Sequence, residues 1–152
     1  MDQLIVRPLQ PEDSDWMRQV LCEHWGSPMI ITRGRCHQAE QLSGLVALLA
    51  DQRVALATYE IREKACELVS LNILLPGHGI GTALVARLAE LASRAGCWRL
   101  WLITTNDNLP ALGFYQKRGF RLVAVHVDAL TTSRQIKPEI PKIGLEGIPL
   151  RD

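Results

Sequence analysis

Three glycines at alternate positions constrain this chain more than any other feature. Gly77, Gly79 and Gly81 lie in the segment LLPGHGIGTALVARLAE (residues 74–90), in which an apolar run passes directly into a helical pattern. The first N–H groups of a helix have no intrahelical acceptor, and together with the helix dipole they attract anions, most often phosphate. A tight turn with positive φ is the structural alternative, but it needs one glycine rather than three. The segment therefore predicts an anion-binding junction between a strand and a helix.

The glycine loop matches neither of the two common nucleotide-binding motifs. A P-loop needs lysine and then serine or threonine after its last glycine, whereas TALV follows Gly81. The dinucleotide motif GxGxxG also fails, because its third glycine is replaced by Thr82 when counted from Gly77 and by Leu84 when counted from Gly79. Both nucleotide-binding interpretations are therefore excluded.

Apolar periodicity around the loop predicts an α/β (α+β) order of β, α, three β, α, β, α, β. The predicted helices end at Gly26, Gly96 and Gly119, and the short links DQ and EKA predict antiparallel hairpins. Residues 27–41 mix turn signals with a short helical pattern. The tail SRQIKPEIPKIGLEGIPLRD is expected to be irregular, with one short edge strand at its end. The predicted strands are QLIVRPL, GLVALLA, RVALATYEIR, CELVSLNIL, CWRLWLITT and FRLVAVHVD.

Composition limits the class of protein. A length of 152 residues suits one domain, and a net charge of +1 argues against a nucleic-acid or membrane-surface protein, which usually carries a basic face. The start MDQLIVRPLQPED has no long apolar run, so we expect no signal peptide and a cytoplasmic protein. No CxxC motif or metal-ligand spacing accompanies the cysteines, which we interpret as reduced thiols without a metal: Cys22, Cys36, Cys66 and Cys97.

A second motif follows about 30 residues after the loop. The segment NLPALGFYQKRGF combines Asn108, Ala111, Phe114, Tyr115 and the pair Gly119-Phe120. With GIGTALV and the predicted element order, it resembles the GNAT family of acetyl-CoA-dependent N-acetyltransferases over roughly residues 4–128. The resemblance implies a single acetyltransferase domain over residues 1–152, with an irregular tail from about residue 129 and an incomplete last strand. It also implies a mixed, mostly antiparallel sheet with helices on both faces, splayed between the fourth and fifth strands, CELVSLNIL and RLWLITT.

The resemblance assigns residues to acetyl-CoA, the implied co-substrate. The loop amides would bind the pyrophosphate, the backbone near Leu71 and Ile73 would pair with the pantetheine arm, and Asn108 would bond that arm. The family usually has Gln or Arg where this chain has Pro76, which offers neither charge nor N–H. The implied cofactor-binding residues are Leu71, Ile73, His78, Gly79, Gly81, Thr82, Asn108, Ala111 and Tyr115.

Two residues are candidates for acid and base. The resemblance places Tyr115 near the coenzyme sulfur as general acid, with a core tyrosine as the alternative. Glu67, at the start of a strand beside the site, is either the base for the acceptor amine or a salt-bridged strand-end residue. Strict alternation puts Glu67 on the same face as Val69, Leu71 and Ile73.

The remaining histidines are expected to be surface or structural residues, and these are His24, His37 and His126. Trp16 and Trp25 of the first helix are expected to pack in the core or at its rim.

The resulting hypothesis is an N-acetyltransferase that moves an acetyl group to an amine by direct attack on the thioester. The acceptor would be an amine-bearing small molecule or peptide, with no nucleic acid, membrane or metal involved and with a homodimer left open. The alternative is an acyl-CoA-binding regulatory module with the same fold but no turnover, which Pro76 and the expected incomplete last strand motivate.

Overall fold

The computed structural model describes residues 3–32 and 35–152. Its contacts divide the chain into two compact units, residues 1–30 with 37–102 and residues 31–36 with 103–152. Within the described residues the helices are α1 (Ser14–Trp25), α2 (Ile80–Arg94), α3 (Leu109–Lys117) and α4 (Ala129–Ile136). The strands are β1 (Leu4–Pro8), β2 (Met29–Thr32), β3 (Arg35–Gln38), β4 (Ser43–Leu49), β5 (Gln52–Arg62), β6 (Ala65–Ile73) and β7 (Arg99–Leu102).

The first unit contains a five-stranded sheet in the order β1-β4-β5-β6-β7. The pairs β1–β4, β4–β5 and β5–β6 are antiparallel, whereas β6 and β7 are parallel. Helices flank this sheet, and β2 pairs with β3 in a separate two-stranded sheet. The mixed, mostly antiparallel sheet predicted from the sequence is confirmed.

Two-residue turns connect the three central strands. Ala50 and Asp51 join β4 to β5, and Glu63 and Lys64 join β5 to β6, all four with φ between 51° and 61°. Positive φ at both central residues gives a turn whose twist matches that of the flanking strands. The hairpins predicted from the short links are therefore confirmed.

One extra residue in β6 changes which side chains share a face of the sheet. Thr58 of β5 lies opposite Ser70, but the next residue, Tyr59, lies opposite Leu68, so Val69 has no partner across the ladder. Such a bulge interrupts the two-residue alternation of side chains along the strand. Counting residues across Val69 therefore does not show which face of the sheet a side chain occupies.

The bulge separates Glu67 from the residues that follow it. Glu67 lies directly opposite Glu60, and Glu60 shares its face with Thr58, two positions earlier in β5. Leu71 and Ile73 lie opposite alanines of β5 that point to the other face. The predicted common face for Glu67, Leu71 and Ile73 is therefore wrong, because the bulge shifts the alternation by one residue.

Helix α1 covers one part of the sheet with an apolar stripe. It follows a 3₁₀ turn at Pro11–Asp13 and ends at Gly26, whose φ of 77° closes the helix. Its buried residues pack with Leu56 of β5 and Val69 of β6. The members of this stripe are Met17, Val20 and Leu21.

Helix α2 contacts all five strands of the larger sheet. Its buried face is formed at helical spacing by Ile80, Leu84, Leu88 and Ala92.

In the second unit, hydrogen bonds connect residues near the C-terminus to the loop before α3. The Asn106 amide oxygen accepts hydrogen bonds from the N–H groups of Arg151 and Asp152, at 3.0 and 3.1 Å. The buried Asp107 carboxylate accepts one from Leu145, at 2.8 Å.

Three segments differ from the sequence prediction. FRLVAVHVD is predicted as a strand, but residues 120–127 form no strand, and the side chains of Leu122, Val123, Val125 and Val127 are exposed. Residues 27–41 form β2, β3 and a 3₁₀ turn, with residues 33–34 outside the described residues. The predicted irregular tail contains α4, and its expected edge strand is a single bridge between Ile143 and Pro149. An alternating apolar pattern becomes a strand only where a partner strand satisfies its backbone.

A buried ion cluster fixes the start of α1. The Asp13 carboxylate, with no exposed surface, accepts hydrogen bonds from Arg7 (2.7 and 3.1 Å), from Arg53 Nε (2.7 Å) and from the Gln10 N–H (2.8 Å). The Arg7 guanidinium, aided by the Gln10 N–H and Arg53, holds the pKa of Asp13 well below its usual range. This cluster joins β1 and β5 to the entry of the helix.

We expect Asp13→Asn to lower the free energy of unfolding by about 2–4 kcal/mol at pH 7, because it leaves two guanidinium groups without their carboxylate. A lowered native pKa stabilises the fold above the unfolded value of about 3.9 and loses this effect as pH falls towards the native value. Urea unfolding at pH 7 and pH 3 should therefore show a smaller difference between parent and variant at pH 3. Asp15→Asn, at an exposed position in the same helix, is the control and should change stability by less than about 1 kcal/mol. Equal effects of the two variants would contradict the role given to Asp13.

Candidate active site

The loop between β6 and α2 needs two of its three glycines for its conformation. Gly77 and Gly79 have φ of 88° and 68°, in the left-handed region that residues with a Cβ rarely adopt. A Cβ at either position would meet no atom within 4 Å, so the space in front of the loop is open. Gly81 is different, because it is buried in the first turn of α2. Backbone conformation thus accounts for two glycines rather than the one expected.

The N-terminus of α2 has the electrostatic character of an anion site. The first bond within the helix runs from the Ala83 N–H to the Gly79 carbonyl at 3.1 Å, so the amides of Ile80 and Gly81 precede the helical ladder. No acidic residue lies in the first turn. An anion in front of this turn would meet backbone N–H groups and the positive end of the helix dipole.

Strand β6 pairs with β5 along one edge, whereas its other edge is only partly paired. Its pairing with β7 covers Ala65–Leu68, while its pairing with β5 continues to Ile73. Among the described strands, therefore, none pairs with the second edge of β6 from Val69 to Ile73. An extended ligand chain can add to such an edge by backbone hydrogen bonds. The splay of the sheet at this point stays a prediction.

Glu67 belongs to a group of three titratable side chains, two of which are buried. The Glu67 residue is 5% exposed and His37 is 3% exposed. Glu60 Oε2 lies 3.1 Å from His37 Nδ1, and Glu67 Oε1 lies 3.5 Å from His37 Nε2. This geometry fits both alternatives for Glu67, because a carboxylate beside an imidazole can still accept a proton.

Sequence reasoning missed the contribution of Glu60 and His37. The turn at Glu63 and Lys64 brings Glu60 opposite Glu67, so the hairpin alone could have indicated the carboxylate pair. No local pattern marks His37, which comes from β3 and was predicted to be a surface or structural residue. The structure shows that its imidazole is buried between the two carboxylates.

Two tryptophans of α1 take packing roles, as predicted. Trp25 donates a hydrogen bond from Nε1 to the Asn72 side-chain oxygen of β6 at 3.3 Å. Trp16 packs against the α1 core and lies under the Arg53 guanidinium, 5.7 Å from the ring centroid.

In the second unit, α3 carries the other candidate residues. Asn108 caps this helix, its side-chain oxygen accepting a hydrogen bond from the Ala111 N–H at 3.2 Å. Tyr115 makes edge-on contacts with Phe114 and Phe120, at centroid distances of 5.0 and 5.5 Å. Burial raises the pKa of Tyr115 to about 12, so its phenol is protonated throughout the neutral range.

The predicted site residues divide between the two units. Asn108, Ala111 and Tyr115 lie in the second unit. The first unit holds Glu67, Leu71, Ile73, His78, Gly79, Gly81 and Thr82.

Over residues 3–32 and 35–152, no group of three His, Cys, Asp or Glu side chains is arranged to hold a metal ion. In the same ranges, no helix combines the length and apolar character needed to cross a membrane. The four cysteines are free thiols, and burial raises the pKa of Cys66 to about 12.

Two bacterial proteins of similar length resemble this chain closely in sequence. YxbD of Bacillus subtilis (strain 168) is 44% identical over 131 residues, which cover 86% of this chain and 82% of that protein. YdhI of the same organism is 37% identical over 150 residues, which cover 98% of this chain and 94% of that protein. Both are described as uncharacterized.

Solved structures share the fold. An IAA acetyltransferase from Bacillus cereus ATCC 14579 superposes with a TM-score of 0.74 at 23% identity, covering 99% of this chain and 95% of that one. An acetyltransferase from Bacillus subtilis in complex with CoA gives a TM-score of 0.67 at 19% identity, covering 100% and 94%. Residues 12–120, which include α1, the larger sheet beyond β1, the glycine loop and α3, match the model of the acetyltransferase (GNAT) family. The sheet order, the loop and this match together show that the chain belongs to the GNAT acetyltransferase family.

Proposed function

We propose that this protein transfers the acetyl group of acetyl-CoA to the amine of an acceptor molecule. The observation that carries the proposal is the glycine loop, in which open space lies in front of Gly77 and Gly79 and the α2 N-terminus has no acidic residue. A Cβ at either glycine would project into that space, as expected where a backbone approaches a ligand closely. Family membership and the likeness to an acetyltransferase in complex with CoA support the same ligand.

The residues of the first unit would hold acetyl-CoA along the loop and along β6. The amides of His78, Gly79, Gly81 and Thr82 would bind the pyrophosphate. The free edge of β6 at Leu71 and Ile73 would bond the pantetheine arm as an added strand does. Asn108 and Ala111 of α3 would contribute further contacts, with Asn108 using its side-chain NH₂ group because its oxygen caps the helix. When bound, acetyl-CoA supplies the thioester that activates the acetyl group.

Glu67 would act in the reaction as a proton acceptor, and Tyr115 as a hydrogen-bond donor. Glu67 would accept a proton from the attacking amine, and the Leu71 N–H would donate a hydrogen bond to the thioester carbonyl oxygen. Tyr115 would donate a hydrogen bond to the leaving sulfur. Because the Tyr115 pKa of about 12 lies above that of a thiol, about 8.5, full proton transfer from the phenol is uphill. Tyr115 would then stabilise the sulfur as a donor, and solvent would supply the final proton.

The acceptor class stays open among amines. Structural relatives with this fold are described as aminoglycoside and ribosomal-protein-S18-alanine acetyltransferases, at 14% and 15% identity. Such different acceptors on one fold mean that the fold does not select among them. Pro76, exposed in the loop and lacking an N–H, favours the alternative of an acyl-CoA-binding module without turnover.

Turnover on an amine panel tests the proposal directly. We expect release of free thiol from acetyl-CoA with at least one member of a panel of aminoglycosides, polyamines, amino acids and N-terminal peptides. Acetylation of the same amine should be visible by mass spectrometry. A thermal shift with coenzyme A but no thiol release across the panel would contradict the enzyme and support the binding module.

Replacing Gly79 tests the loop. Asparagine tolerates positive φ better than other residues with a Cβ, so Gly79→Asn should keep the fold and place a side chain in the open space. We expect coenzyme A to bind at least tenfold more weakly by calorimetry, or about 1.4 kcal/mol. Gly96→Asn is a matched control, because Gly96 follows the other end of α2 with a φ of 79° and equally open space. Equal affinities in the two variants would remove the loop from the binding site.

Tyr115→Phe tests the phenol. The change keeps the ring contacts with Phe114 and Phe120, so stability should change little. Turnover should fall about 10²-fold, because the change removes a hydrogen-bond donor to the charge that develops on the sulfur. Coenzyme A affinity should be nearly unchanged, as calorimetry can show. Tyr59→Phe on β5 is the control. It also removes a phenol hydroxyl, which in this case is hydrogen-bonded to Ser43, and it should leave turnover near the parent value. Full activity of Tyr115→Phe would leave Tyr115 as a packing residue.

A further inference from the structure

Two carboxylates of the larger sheet face each other across a hairpin. Glu60 of β5 and Glu67 of β6 are direct partners in the antiparallel ladder. Like charges placed directly opposite destabilise a sheet, and two neighbouring carboxylates resist ionising together. Both members of such a pair can stay ionised only if a cation, such as a protonated imidazole, lies nearby.

The imidazole of His37 lies between these two carboxylates. Its Nδ1 is 3.1 Å from Glu60 Oε2 and its Nε2 is 3.5 Å from Glu67 Oε1, so each ring nitrogen faces a different glutamate. Side-chain exposure is 1% for His37, 7% for Glu67 and 21% for Glu60. Glu67 is thus the more deeply buried of the two carboxylates.

We propose that His37 is a positioning residue that holds the proton shared by Glu60 and Glu67, and so keeps Glu67 an ionised carboxylate able to accept the proton of the acceptor amine. The inference rests on the proposed acetyl transfer, in which Glu67 is the base. With both ring nitrogens protonated, Nδ1–H donates to Glu60 and Nε2–H donates to Glu67, and the group carries a net charge of −1.

Without the imidazole, one of the two carboxylates would take up a proton from solvent. Burial disfavours the charged form of an acid, so the proton would go to Glu67, the more buried partner. A protonated Glu67 has no free electron pair of carboxylate basicity for the amine proton. His37 would therefore control the protonation state of Glu67 without touching the substrate.

Among the described residues, Glu60 of β5 and Glu67 of β6 face the ring. The 3₁₀ turn that follows β3 carries Glu40, which pairs with Arg18 of α1 at 3.4 Å. Cys66, next to Glu67, is a neutral thiol at neutral pH because burial raises its pKa to about 12.

The pH dependence of kcat/KM in three variants tests this role. His37→Gln keeps hydrogen-bond donors but cannot carry the proton, so we expect at least a tenfold loss at neutral pH, an acidic limb moved upward by at least about one pH unit, and recovery at alkaline pH. The double variant His37→Gln/Glu60→Gln removes the opposing charge, so its acidic limb should return towards that of the parent. His24→Gln, at an exposed position of α1, is the control and should follow the parent.

Two results would overturn the role of His37. One is an equal loss in His37→Gln at every pH, and the other is a double variant no better than the single one; both would indicate packing alone.

A readout independent of turnover uses the parent protein. Nitrogen-15 NMR of the histidine rings should show both nitrogens of His37 protonated at pH 7, whereas a neutral His37 ring would contradict the proposal even if no variant folds. Absence of turnover in the parent would instead contradict the proposed function and leave this measurement valid.

Discussion

The pairing of β5 with β6 is the interaction on which the candidate site depends. Its register places Glu60 opposite Glu67, and the bulge at Val69 turns the following residues to the other face. In a strand that is regularly paired from Glu67 to Leu71, these two side chains would lie on the same face, because side chains alternate along a strand. With the bulge, the Glu67 side chain lies on one face of the sheet and the side chains of Leu71 and Ile73 lie on the other.

The same strand leads into the loop that begins α2. Gly77 and Gly79 turn the chain with positive φ, and the buried face of α2 then holds the helix against the sheet. The position of the helix N-terminus is therefore fixed by the apolar packing of α2 against the sheet. Hydrogen-bond donors that packing holds in place bind a ligand at a lower entropic cost than mobile ones.

The sequence alone was sufficient for the local features of this fold. Glycines at helix ends, a helical stripe from Ile80 and two short hairpin links each depend on neighbouring residues, and the structure contains all of them. The family motifs led to the right family because they too are local. No local sequence pattern indicates the bulge at Val69, because the bulge arises from pairing between strands.

Long-range contacts explain the other differences. His37 reaches Glu60 and Glu67 from 23 and 30 positions away in the sequence, and no periodicity encodes that meeting. The segment 120–128 has the alternation of a strand, but strand formation also requires a neighbouring strand. The helix α4 was missed because its sequence, ALTTSRQI, has two adjacent threonines and ends just before Pro138, and both features weaken a helical prediction.

The short turn at Glu63 and Lys64 also determines how the two glutamates meet. It makes the contact between Glu60 and Glu67 local in sequence, and closing a short loop costs less conformational entropy than closing a long one. The His37 imidazole reaches both carboxylates from β3, so its contacts with them close a longer stretch of chain. The carboxylate pair is thus a property of one hairpin, whereas the group of three depends on where β3 packs.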